Sequence, residues 1–222
     1  MNDVFFAGFN QDLRSSARWE AFYRQHAKKA GVQIDAVPPV PEVDGEFMFN
    51  KMMTASRVPD PWMWPALKKL KASNQYLIAA LSNTMIFPDD HPLSAPPAES
   101  DNVKGIFDVF VSSAHAGLRK PDPKIYDYAL RQLNVYAQAH VKADGKGIAL
   151  GWKDGIGADD VLFLDDIGEN LKAAKKTGFQ TVKVHLGRAY EAVAELEQIT
   201  GLDLDGGHPK VSSAPDIPKA KL

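Results

Sequence analysis

Four short apolar runs, each standing beside a stretch of helical periodicity, constrain this chain more than any other feature. They are YLIAAL at 76–81, FDVFVS at 107–112, VLFL at 161–164 and TVKV at 181–184. A strand covered on both faces reads as a near-continuous apolar run rather than as an alternation. A helix is predicted over 123–133, with Ile125, Tyr126, Ala129, Leu130 and Leu133 on one side. A second runs from about Asn170 to Thr177 and stops at Gly178, and a third spans 189–200 and closes at Gly201. Strand and helix alternating from 76 to 200 predict an α/β fold, a parallel sheet with helices on both faces.

The front of the chain follows another rule. Phe5, Phe6, Phe9 and Leu13 recur at helical spacing, and Trp19, Phe22 and Tyr23 carry the stripe on to Gly31. Residues 36–45 are too rich in proline for a central strand. A second helical patch surrounds Phe47, Phe49, Met52 and Met53, and a helix over 62–71 follows Pro59 and Pro61. The expected organisation is a helical region over 1–60, an α/β core over 61–202 and a flexible tail over 203–222. A glycine-rich connection is expected at 142–159.

Composition excludes several classes of function. With 26 basic and 28 acidic residues the net charge is −2, which gives no general reason to bind nucleic acid or an anionic membrane. No apolar run approaches the ~20 residues of a membrane helix. There is no cysteine, so disulfides, thiolate zinc sites and cysteine nucleophiles are excluded.

Polar residues gather where the apolar runs end. Ligands in an open α/β sheet sit beyond the carboxyl ends of the strands. Ser82, Asn83 and Thr84 follow the first run, Lys120 follows the second through SAHAGLRKPDP, and Asp165 and Asp166 follow the third, with Gly168 and Asn170 beyond. A hydroxyl and an amide can donate to phosphate oxygens, and a lysine adds charge. Paired carboxylates suit a hard cation such as Mg²⁺. Each group alone also reads as a turn or a helix start; their order makes the pattern specific.

The blocks LSNT, GLRKPDPKIY and VLFLDDIGENLKAAKKTGF resemble motifs II, III and IV of the haloacid dehalogenase-like (HAD) superfamily. They are most similar to the phosphatase-like N-terminal domain of soluble epoxide hydrolases. The resemblance covers about 60–202, and more loosely the helical front, which resembles that family's cap. It implies a Rossmannoid sheet with a helical cap, and a small, phosphorylated substrate. It implies that Ser82 and Asn83 bind the oxygens of the transferring group and that Lys120 neutralises them. It further implies that Asp166 ligates Mg²⁺ and that Asp165 supports it.

The family's motif I, an Asp-x-Asp ending a first strand, has no counterpart here. Asn10-Gln11-Asp12 lies on a helical stripe, Glu42-Val43-Asp44-Gly45 follows VPPVP, and Asp203-Leu204-Asp205-Gly206 follows a helix. Loss of a covalent nucleophile costs on the order of 10⁴–10⁶ in turnover, so phosphomonoesterase activity is in doubt and Mg²⁺ is expected to be weakened or absent. The missing strand would also sit between those at 76–81 and 161–164. Those two strands pair directly, or another chain fills the gap, or the sequence is an N-terminally shortened form. Three functions stay open: a HAD-like hydrolase, a repurposed non-hydrolytic enzyme using the cap–core pocket with Lys120, Asp165, Asp166 or a histidine as acid or base, and a silent binding module. The final Ala220-Lys221-Leu222 resembles a peroxisomal address, giving a cytoplasmic or peroxisomal expectation. Homo-oligomerisation is left open.

Overall fold

A computed structural model describes residues 15–40, 42, 44–87, 94, 103–143 and 150–212. Residues 10–12 and 220–222, with their two sequence motifs, lie outside the described residues. The chain divides into two units, 1–58 with 215–222, and 59–214.

In the described part of the first unit, α1 (Ser16–Ala30) begins at Ser15, whose side chain accepts from the Arg18 N–H, and ends at Gly31 in the left-handed conformation. α2 (Gly45–Ala55) is capped by Asp44, which accepts from the Phe47 N–H at 3.0 Å. Asp44, one of the three textual matches to Asp-x-Asp, is thereby a helix cap.

The second unit carries α3 (Met63–Ser73), β1 (Ala79–Ser82), β2 (Val109–Ser112), α4 (Ser113–Ala116), α5 (Pro123–Ala143), β3 (Leu162–Asp165), α6 (Gly168–Lys176), β4 (Gln180–Lys183) and α7 (Ala189–Thr200). Asp60 starts α3 by accepting from the Trp62 and Met63 N–H groups. β1 pairs with β2 in parallel, Ser82 opposite Ser112, and β3 pairs with β4 in parallel, Asp165 opposite Lys183.

Side chains alternate across the strands into two cores. Trp62, with Ala66 and Leu70 of α3, joins Ala189, Val193 and Leu196 of α7 around Ile78 and the fully buried Leu204, with Leu162 and Leu164 packed against them. On the other face Ile125, Tyr126 and Ala129 of α5 and Ala174 of α6 enclose Val111, Phe163 and Phe179, with Leu81 and Val109 alongside. The architecture is α/β, with helices on both faces of parallel strands.

Two findings differ from expectation. The strands form two separate pairs, β1–β2 and β3–β4, not one sheet. Among the described residues no backbone ladder joins β1 to β3, so the direct closure weighed above is not what the chain adopts. Among the described residues β1 has a ladder partner on one edge only. Its residues are half-buried or exposed, where the apolar run 76–81 predicts full cover. The second difference lies past residue 202. There Leu204 is buried, Lys69 Nζ donates to the Asp205 carbonyl at 2.7 Å, and the Trp62 indole donates to the Pro209 carbonyl at 3.1 Å. A Cβ on Gly206 would stand 2.6 Å from that of Pro65, so only glycine fits there. Residues 202–209 form a strap along α3, and Asp203–Gly206 is no strand tip.

Candidate functional site

The carboxyl ends of β1 and β3 are connected through Lys120. Asn83, one residue past β1, donates its Nδ2 to the Lys120 carbonyl at 3.0 Å and accepts from the Lys120 N–H at 2.9 Å. The lysine side chain then reaches the last residue of β3, with Nζ 2.7 Å from Asp165 Oδ2 and 5.3 Å from the centroid of the Phe163 ring. The pair is largely covered, with side-chain exposures of 11% for Lys120 and 5% for Asp165.

Asp165 is fully engaged. Its Oδ1 accepts from the Ile167 N–H at 2.7 Å, and the Asn170 amide lies 3.0 Å from Oδ1 and 3.2 Å from Oδ2. Burial pushes the Asp165 carboxyl up, but the hydrogen bonds from Lys120, Ile167 and Asn170, and the lysine charge, outweigh it and hold the group below its ordinary value. Tyr126 anchors the next layer by donating its hydroxyl to the Asn170 carbonyl at 2.9 Å. Burial, with the Asp165 charge added, pushes that phenol up to about 12.

The remaining predicted residues take distinct places. Ser82 ends β1 and is half-buried. Asp166 is exposed; its backbone carbonyl accepts from Lys183 Nζ, and its carboxylate has no partner among the described residues. Asn83, expected to hold the transferring group, uses its amide to fix the Lys120 backbone. Its neighbour Thr84 was missed as part of the scaffold. Thr84 Oγ1 lies 2.6 Å from Ser112 Oγ, and its N–H donates to Ser113 Oγ at 2.9 Å. His115 sits in α4 with Nδ1 2.8 Å from Ser112 Oγ. Only the textual closeness of Ser82-Asn83-Thr84 to Ser112-Ser113 in strand order hinted at this lattice.

A hard cation takes about six oxygen ligands. Asp165 is taken up by Lys120, Asn170 and a backbone N–H, which leaves Asp166 as a single free carboxylate. No cluster of three or more metal-ligating side chains occurs among the described residues. These residues by themselves do not fit a Mg²⁺ site. They hold a cation, Lys120 Nζ, at the tip of β3.

No family model matches the chain. Acyl-CoA dehydrogenase family member 10 of Mus musculus is 35% identical over 103 residues, 46% of this chain and 8% of that protein. Bifunctional epoxide hydrolase 2 of Mus musculus is 25% identical over 179 residues, 81% of this chain and 27% of that protein. The chain thus spans well under a third of either relative. A sesquiterpene phosphatase of Aspergillus oryzae is 28% identical over 193 residues, 84% of this chain and 81% of that protein. Among solved structures, a dehalogenase with an intermediate complex aligns at TM-score 0.46 and 20% identity over 84% of this chain and 82% of its own. A HAD family enzyme of Bacteroides thetaiotaomicron, complexed with magnesium and inorganic phosphate, aligns at TM-score 0.43 and 18% identity over 86% of each chain. The phosphatase and epoxide hydrolase relatives agree with the three blocks that carry Ser82, Asn83, Lys120, Asp165 and Asp166: the chain is similar to proteins of the HAD-like superfamily.

Proposed function

We propose that this chain is the phosphate-handling core of a HAD-like hydrolase acting on a small phosphorylated molecule, its attacking carboxylate supplied from outside the described residues. The observation that carries this reading is the Asn83–Lys120–Asp165 chain of contacts, which fixes the lysine backbone at one end and its ammonium at the other. In this reading Lys120 offers its remaining N–H groups to phosphoryl oxygens and Ser82 adds its hydroxyl. Asn83 acts through Lys120 as a positioning residue. Asp166 contributes one carboxylate, and a further carboxylate is needed to attack.

Asp165 is spent on Lys120 and cannot serve as that nucleophile. This favours a second reading for the residues at hand, phosphate capture without turnover. Phosphorus-31 titration with inorganic phosphate, and turnover of p-nitrophenyl phosphate with Mg²⁺, test both. Saturable phosphate binding lost in Lys120→Ala, with turnover appearing only when an apolar strand ending in Asp-x-Asp is joined upstream, supports the first reading. Binding without turnover in either form supports the second. Phosphate binding indifferent to Lys120→Ala overturns both.

A further inference from the structure

A hollow of about 260 Å³ lies along β2, lined by Val109, Phe110, Val111 and Ser112. Its walls are chemically divided. Phe110 and Tyr128 supply aromatic surface, and Ser112, His115 and Gln132 supply polar groups. Lys104 supplies a cation, and among the described residues no carboxylate lines the space.

Among the described residues the cations here are held by rings rather than by acids. Lys104 Nζ stands 5.2 Å from the Phe110 ring centroid, and the Arg131 guanidinium 5.8 Å from that of Tyr128. A ring face attracts an ammonium without accepting its hydrogen bonds in full. Lys104 is exposed and has no acidic partner among the described residues. His115 uses Nδ1 on Ser112, and its other ring nitrogen has no partner among the described residues. Charge complementarity therefore selects an anion, and the two rings select a flat apolar body. The volume lies just under the ~300–1,000 Å³ of ordinary ligand pockets, which suits a single ring and not a nucleotide.

We propose that this hollow binds a small planar organic anion, a carboxylate on a single-ring body, with Lys104 at the carboxylate and the body between Phe110 and Tyr128. The site is separate from Lys120 and does not depend on the phosphate reading. The test is an amide-detected NMR titration of the full chain with benzoate, and with benzamide as the neutral isostere. Expected are saturable shifts centred on Phe110, Ala116 and Tyr128, with benzamide weaker by about tenfold or more. Lys104→Met, at an exposed position, should lower benzoate affinity by a similar factor, and His115→Ala by less. Lys120→Met should leave it unchanged. Equal binding of benzamide, no saturation, or benzoate affinity indifferent to Lys104→Met would overturn the proposal. Shifts centred on Lys120 instead would assign the anion to the other site and overturn it too.

Discussion

Asn83 and Lys120 lie 37 positions apart and are joined by two reciprocal hydrogen bonds, amide to backbone in both directions. The side chain of one strand-end residue thus sets the backbone of the residue that carries the charge. Asn83→Ala keeps every side-chain donor of Lys120 but removes its support. Phosphate affinity should fall by about tenfold, while stability in urea falls by only ~1 kcal/mol, because the bonds are exposed. Asn83→Asp should restore neither, since a carboxylate cannot donate to the Lys120 carbonyl. Comparing the two losses in one titration series separates positioning from folding.

Asp165→Asn leaves the Lys120 ammonium covered and without its counter-ion. Breaking such a pair costs roughly 3–5 kcal/mol, and the midpoint of urea denaturation should fall accordingly. The same variant should alter the acid limb of stability. The Asp165 carboxyl is held below its ordinary 3.8 in the folded chain, so on acidification the unfolded chain takes up this proton first. Its contribution is complete above about pH 5 and is lost as pH falls through 4 and below. Asp165→Asn should be less stable at pH 7 and show a flatter decline below pH 4.

Asp108 organises the opposite end of β2. Its Oδ1 accepts from Lys71 Nζ at 2.6 Å and the Tyr136 hydroxyl at 2.9 Å, and its Oδ2 accepts from the Ile78 N–H at 2.9 Å. Burial raises its carboxyl, and these bonds overcome that and hold it low. Asp108→Ala strands the Ile78 N–H and removes an acceptor from the Tyr136 hydroxyl, and should destabilise by about 2–3 kcal/mol in urea. Tyr136→Phe, which removes one bond, should cost about 1 kcal/mol.

Leu204→Ala empties a fully buried site between α3 and α7. A loss of about 2–5 kcal/mol is expected by thermal or urea denaturation. Shortening the chain at residue 202 should cost at least as much, because it also removes the carbonyls that Lys69 and Trp62 reach.

The sequence made much of this legible, and its failures have physical reasons. α7 fell on its predicted 189–200 because its buried positions Ala189, Ala192, Val193 and Leu196 keep helical spacing between clear ends. α5 runs ten residues beyond its predicted end at 133. There the inward face is carried by Ala137, fully buried, and by Asn134, which holds the Ile156 backbone across a loop. A small residue and a polar one leave no apolar stripe to read. β1 began three residues later than its apolar run, since apolar text marks burial and not ladder formation. At the site, Asn83, Lys120 and Asp165 meet at the strand ends. The direction of the Asn83 amide was beyond sequence, because an amide can serve a ligand or a backbone equally well. The strap over 202–209 was hidden by its own composition: one leucine among Asp, Gly and Pro carries the burial.

Two strand pairs expose more rim than one four-stranded sheet would. β4 brings Lys183 to its border, a charge that discourages foreign strands. β1 reads Ala-Ala-Leu-Ser and has no such guard. The practical outcome is colloidal: concentrated stocks of this polypeptide should cloud by strand-to-strand adhesion well before heat unravels them, and a lysine placed at Ala79 should keep them clear.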